Sequence, residues 1–196
     1  MAKQDKQKQY INKAMMVFRN DGLRLSLDEV ADKMGITKKT LYNHFESKEL
    51  LLCECVQSLM IDMRDNIHTI FTQGTDTITS LLNAFEEVDR MFSNLSPIFF
   101  YDMKKMYPQY IGTEHATGFG FFREEVHENL KKGVEEGVYR NDLDMEYISD
   151  YLTFTTFSYY FNKLITNNNV VVKDFFKNSM EFNLRALVSE KRKKTI

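Results

Sequence analysis

Residues 26–48 read S-L-D-E-V-A-D-K-M-G-I-T-K-K-T-L-Y-N-H-F-E-S-K. Ser26 followed three residues later by Glu29 is a capping box, the reciprocal pair that starts a helix. Val30, Ala31 and Met34 follow at helical spacing and form its buried side. Gly35 makes the turn, where a side chain would be strained at positive φ. Thr37 caps a second short helix in which Leu41 and Phe45 point inward. That helix carries Thr37, Lys38, Lys39, Thr40, Tyr42, Asn43 and His44 within eight positions, too polar and too short a segment to build a core. Its donors suit phosphates and base edges. Two such helices behind a longer first one form a helix-turn-helix module, in which the second helix enters the major groove of DNA.

The roles divide along that second helix. Lys38 and Lys39 offer donors to guanine edges or phosphates, and Asn43 has an amide matched to adenine. Thr40 and Tyr42 suit phosphates or a thymine methyl. His44 and Lys48 lie further along and suit the sugar-phosphate backbone. Ser26 presents a hydroxyl and a helix-terminal N–H to a phosphate. The net charge of −2 fits this once it is split. Residues 1–50 carry +3 and the remainder −5, so the positive excess is confined to the module that would meet DNA.

Outward from the module, two prolines and eight glycines in 196 residues argue for long helices and few tight turns. The chain reads as all-α. Helix 1 is predicted over about 4–20, with Ile11, Ala14, Met15 and Phe18 as its stripe and Gly22 just past its end. Ser47 caps helix 4, about 48–72. Helix 5 covers about 76–93, and Ser96-Pro97 starts helix 6, about 97–106. Helices 7, 8 and 9 follow over about 114–136, 145–166 and 173–190. Asn167 to Asn169 form a turn, and the basic tail 191–194 frays. The expected division is a DNA-binding domain at 1–47 and a helical domain at 48–196, joined inside helix 4 without a flexible linker.

The run I-T-K-K-T-L-Y-N-H-F-E-S-K-E-L-L, preceded by S-x-D-E-V-A-x-x-M-G and by F-x-x-x-G at Phe18–Gly22, resembles the TetR family of bacterial transcriptional regulators. The likeness covers about residues 10–52. It implies an all-helical homodimer, usually a repressor, with a three-helix DNA-binding domain and about six further helices. Helices 8 and 9 would pair with their mates in a four-helix bundle. A small molecule bound in the C-terminal domain would change the spacing of the two reading heads. By the same likeness Ser26, Lys38, Lys39, Thr40, Tyr42, Asn43, His44 and Lys48 would contact DNA. Two departures stand out. Lys39 occupies a place that is often Gly or Pro in the family, and Asp28 puts a charge that repels phosphate into the first turn of helix 2.

A helix-turn-helix reads its site tightly as a pair, with half-sites about one helical turn or a multiple apart. The expected partner is thus double-stranded DNA with a palindromic operator, bound by a homodimer. Helices 8 and 9 supply the candidate interface in Leu152, Thr155, Thr156, Tyr159, Met180, Leu184 and Leu187. The 16 Phe and 11 Met concentrate attention on the middle of the chain. There Phe85, Phe92, Phe99, Phe100, Met103, Met106, Phe121 and Phe122 form a candidate effector pocket, with Arg123 and His127 as polar groups. The effector would be apolar or aromatic. The rival reading gives the C-terminal domain a protein partner in place of a small molecule.

Other classes lack support. Gly118-x-Gly120 has no preceding strand and is no phosphate loop. No Ser, Cys or His stands in a nucleophile setting, so neither catalysis nor a cofactor is expected. No His, Asp or Glu spacing suits a metal. Cys53 and Cys55 point to different faces of a helix and suit a reduced, cytoplasmic protein. No run of about 18 apolar residues predicts a membrane span, and no secretory signal is visible.

Overall fold

The computed structural model describes residues 2–74, 76–107, 117–165 and 175–190. Among these, nine α-helices and no strand are present: α1 (Ala2–Asp21), α2 (Leu27–Met34), α3 (Lys38–Tyr42), α4 (Lys48–Gln73), α5 (Thr77–Ser93), α6 (Pro97–Met106), α7 (Thr117–Glu135), α8 (Met145–Ile165) and α9 (Phe175–Leu187). The predicted starts of helices 7 and 9, the end of helix 8, the Asn167–Asn169 turn and the basic tail lie outside the described residues. No described helix is long and apolar enough to cross a membrane.

The chain divides into two compact units. The first comprises Met1–Asp62 and Ser93–Gly112, and the second comprises Met63–Phe92 and Thr113–Ile196. The first is larger than a reading head of residues 1–47, because the first part of α4 and the whole of α6 pack into it. Its core joins Ala14, Phe18 and Leu23 to Val30, Leu41, Phe45 and Leu52, and α6 adds Phe99 and Met103 to the same cluster.

The local signals explain the short elements. Ser26 accepts from the Glu29 N–H at 3.3 Å, and the Ser26 N–H donates to the Glu29 carboxylate at 2.7 Å. Gly35 closes α2 at φ +69°, its N–H aimed at the Asp32 and Ala31 carbonyls. Thr37 caps α3 through the Thr40 N–H at 3.1 Å. Helix α3 stops sooner than the inward spacing of Leu41 and Phe45 suggests. The N–H groups of His44 and Phe45 both turn onto the Leu41 carbonyl, at 3.0 and 2.9 Å, which tightens the chain ahead of the Ser47 cap of α4.

The α1–α2 corner is gripped from both sides. The Leu23 N–H donates to Asp102 Oδ2 of α6 at 2.9 Å, and Arg24 Nε donates to Oδ1 at 2.9 Å. The Asp102 side chain is fully buried. On the other side of the same residue, Lys48 Nζ donates to the Leu23 carbonyl. Gly22 lies at φ +81°, and a Cβ there would meet Asp102 Oδ2 at 2.8 Å and Ile98 Cγ1 at 3.1 Å. Glycine is required both by the backbone and by the approach of α6.

In the second unit, Phe85, Phe122 and Phe157 stack edge to face at 5.2 and 5.5 Å, with Phe92 against Phe157 at 5.8 Å. Asn129 donates to the Thr77 carbonyl at 3.0 Å and accepts from the Tyr139 hydroxyl at 3.2 Å. Gly133 leaves room for the Tyr139 ring, which a Cβ would strike at 2.2 Å. The segment after α7 is then stitched to the end of α9 through Arg140 N–H to the Leu187 carbonyl and Ser189 N–H to the Val138 carbonyl, both 2.9 Å.

These contacts set an expected difference between two glycines. Gly35→Ala meets nothing within 4 Å and carries only left-handed backbone strain, about 1–2 kcal/mol. Gly22→Ala carries that strain and also displaces Asp102, so its loss in urea unfolding should exceed that of Gly35→Ala by at least about 1 kcal/mol. Equal losses would show that the corner tolerates a methyl group.

Candidate nucleic-acid interface and regulatory site

The nine residues expected at DNA fall into three groups. Tyr42, Asn43 and Lys39 are exposed along α3 and its C-cap, and Asn43 is the cap residue itself, its N–H bonded to the Lys39 carbonyl at 3.1 Å. Thr37 and Thr40 share a hydroxyl–hydroxyl hydrogen bond of 2.8 Å, so part of their capacity serves the cap. The remaining four have partners inside the chain, and Tyr42 also bonds to the Asp28 carboxylate. Lys38 Nζ donates to Asp28 Oδ2 at 2.7 Å. The Ser26 hydroxyl donates to Glu29 at 2.8 Å. His44 packs edge-on against Tyr10 of α1, with ring centroids 4.9 Å apart. Lys48 grips the α1–α2 corner, and partial burial pushes its ammonium below the ordinary lysine range.

Asp28 therefore does more than repel phosphate. Its carboxylate is held below the usual range first by the hydrogen bond from Lys38, and Lys38 is raised by the same bond. The pair ties the first residue of α3 to the first turn of α2, which puts the N-terminal end of α2 beside the reading helix. Glu29 is likewise lowered by the bonds from Ser26. A phosphate arriving here competes with two carboxylates for the donors it needs.

The ten residues proposed for an effector pocket are divided between the two units. Phe99 and Met103 belong to the core of the first unit, Phe100 packs against it, and Met106 is exposed. Phe85, Phe92 and Phe122 meet in the second unit, together with Phe157, which the sequence reading did not single out. Phe121 is half-buried beside His68, itself bonded to Glu125 at 2.6 Å. Arg123 is committed to Asp150 at 2.5 Å, to Glu124 at 2.9 Å and to Glu146. The hydrogen bonds from Asp150 and Glu146 raise the pKa of its guanidinium. His127 Nε2 lies 3.2 Å from Glu146. These two polar groups thus serve an α7–α8 ion-pair network. A different polar atom is left unsatisfied on α8: Thr153 Oγ1 is buried without a hydrogen-bond partner among the described residues. Only its place between the inward-facing Leu152 and Phe157 could have signalled it.

The interface residues also sort differently. Leu152, Thr156, Met180, Leu184 and Leu187 are buried within their own chain, so they have almost no surface left for a partner. Thr155 and Tyr159 are half-buried. The exposed apolar side chains of α8 and α9 are instead Phe154 at 72% and Phe182 at 70%, with Tyr147 and Tyr151 stacked 6.3 Å apart. Tyr147, Tyr151 and Phe154 recur at helical spacing along one face of α8.

Comparison with known proteins agrees with this architecture. The family model described as bacterial regulatory proteins, tetR family, matches residues 11–55. The transcriptional repressor KstR2 of Rhodococcus jostii is 28% identical over 142 residues, covering 68% of this chain and 67% of that protein. The solved structure of a transcriptional regulator from Cytophaga hutchinsonii matches with a TM-score of 0.75 at 19% identity, covering 94% of this chain and 99% of that one. The structure of the ketosteroid transcriptional regulator KstR2 of Mycobacterium tuberculosis matches with a TM-score of 0.62 at 18% identity, covering 94% and 96%.

The pairing of Lys38 with Asp28 generates a test. Asp28→Asn removes the repelling charge and releases the lysine. Affinity for duplex DNA should rise several-fold and its salt dependence should steepen, as read by fluorescence anisotropy across a salt series. Unchanged affinity would mean that Lys38 does not reach phosphate.

Proposed function

We propose that the chain is a DNA-binding transcriptional regulator of the TetR type, a dimeric repressor released from a palindromic operator by a small apolar or aromatic effector; the match of residues 11–55 to the tetR family model and the likeness to a transcriptional repressor support this reading. The observation that supports the reading half is the exposed row of Lys39, Tyr42 and Asn43 on a helix capped and braced from α2. Asn43 and Lys39 are the base readers in this proposal, Tyr42, Thr37 and Thr40 contact the backbone, and Lys38 joins them when Asp28 lets go. Ser26, His44 and Lys48 take phosphate contacts second to their bonds within the chain. Function divides at residues 47/48, with reading ahead of the border and regulation behind it, in the cytoplasm where the DNA lies.

The dimer face we assign to α8 and α9 centres on Phe154 and Phe182. Exposed phenylalanines on two consecutive helices are the kind of apolar anchor from which an interface core is built. Leu152, Thr156, Met180, Leu184 and Leu187 stand behind that face as its support. Phe154→Glu with Phe182→Glu should convert the dimer to a monomer in analytical ultracentrifugation while helicity is retained, and operator affinity should fall by at least about tenfold. A dimer that survives both charges would move the interface elsewhere and favour a protein partner for this surface.

The effector site we assign to the aromatic stack of Phe85, Phe92, Phe122 and Phe157, with Thr153 as its polar anchor. Apolar rings with one unpaired hydroxyl a helical turn ahead of Phe157 on α8 suit a largely hydrocarbon ligand carrying a single polar group. The naming of a relative as a ketosteroid regulator agrees with that chemistry. A thermal-shift screen of steroid-like, fatty-acid and aromatic compounds should yield a binder that also releases operator DNA. Thr153→Val should weaken that binder by several-fold while the melting temperature holds or rises, since it removes an unpaired buried hydroxyl. No binder from any of these classes, with DNA binding intact, would overturn the apolar effector.

A further inference from the structure

We propose that Arg24 is a phosphate contact of the operator complex, aimed by the buried carboxylate of Asp102. Nothing in the motif marks Arg24, which lies in the turn between α1 and α2, two residues ahead of the Ser26 cap. Its surroundings do. Arg24 Nε is fixed on Asp102 Oδ1 at 2.9 Å, and the guanidinium lies 5.7 Å from the centroid of the Tyr101 ring. The other Asp102 oxygen is taken by the Leu23 N–H, so this carboxylate is anchored and cannot follow the arginine away. The Arg24 side chain is nevertheless 61% exposed, and its two terminal nitrogens carry no hydrogen bond among the described residues.

A guanidinium held through Nε presents its terminal nitrogens as a fork of fixed direction, the geometry that matches a phosphate. That separates Arg24 from the exposed Lys39, which has no such brace among the described residues, and from three nearby cations that are already engaged. Lys38 is bonded to Asp28, Lys33 to Asp21 at 3.1 Å, and Lys48 to the Leu23 carbonyl. Each of those three weakens an existing bond of its ammonium as it turns to phosphate. Arg24 keeps Asp102 on one nitrogen and offers the others. Its place fits as well, because the Lys38–Asp28 pair sets the N-terminal end of α2 beside the reading helix, and Arg24 immediately precedes that end.

The inference rests on the DNA-binding reading, and the test separates the two. The full-length protein selects a duplex from a randomised library, and affinity for that duplex is measured across a salt series for the wild-type chain, Arg24→Gln and Arg24→Lys. Arg24→Gln should lower the slope of log K against log salt by about 0.9 per chain, about 1.8 for a dimer on two half-sites. Arg24→Lys should keep the slope and lose several-fold in affinity, because the charge stays and the fork is lost. Asp102→Asn keeps an acceptor for Leu23 and frees the guanidinium. It should weaken binding in the Arg24 background and have little further effect in the Arg24→Gln background. A merely structural role for either residue would move the melting temperature and leave the salt slope alone. An unchanged slope in folded Arg24→Gln overturns the inference, and equal losses from Asp102→Asn in both backgrounds overturn the role of Asp102. A wild-type protein that selects no duplex defeats the DNA-binding reading itself.

Discussion

The buried carboxylate of Asp102 is the constraint on which the first unit depends. A fully buried charge is tolerable only when its oxygens are taken by strong donors. Here one oxygen accepts a backbone N–H and the other a guanidinium. The carboxylate belongs to α6, and both donors belong to the α1–α2 corner. Lys48 grips the opposite side of the same residue from the start of α4. Three segments far apart in sequence are thereby fixed around Leu23. The corner in turn determines where α2 begins, and through the Lys38–Asp28 pair it fixes where α3 lies. Gly22 is a consequence of that arrangement, since no other residue admits Asp102 so close to a left-handed backbone.

Electrostatics on the reading surface is one of held charges. Lys38 and Lys33 each have a carboxylate within 3.1 Å, and the Ser26 hydroxyl is bonded to Glu29. A surface that pairs its own cations binds phosphate by exchange of partners, so each contact adds less than a free lysine would. Lys39, by contrast, is exposed on α3. Cys55 illustrates the other extreme of this unit. Burial pushes its thiol up to about 12, which keeps it neutral and inert within the core.

The second unit rests on a different kind of contact. Its aromatic rings meet edge to face, and its polar residues are used to close the structure. Asn129, Tyr139 and Thr77 satisfy one another, and Arg123 and His127 join α7 to acidic residues of α8. Charged residues that look available in a sequence were thus already partnered. The buried Thr153 hydroxyl and the exposed Phe154 and Phe182 depart from that pattern, and departures of this kind are where binding concentrates.

The sequence by itself determined the helices and the reading module. Capping at Ser26 and Thr37, the Gly35 turn and the apolar spacing of Val30, Met34 and Leu41 are local effects, and local effects are written in neighbouring residues. The bounds of α2, α5 and α6 were legible for the same reason. Tertiary structure alone decided which charges were free. Lys48 reads as a phosphate contact until Leu23 is found beside it, 25 residues away in sequence. The aromatic residues read along the chain as one pocket are divided between the two units, because Phe99 and Met103 belong with α6 to the core of the first. Leu152 and Leu184 looked like interface at helical spacing, which shows that a face is apolar but not what covers it. Which face meets its own chain and which is left open depends on packing between helices distant in sequence, and no local pattern carries that information.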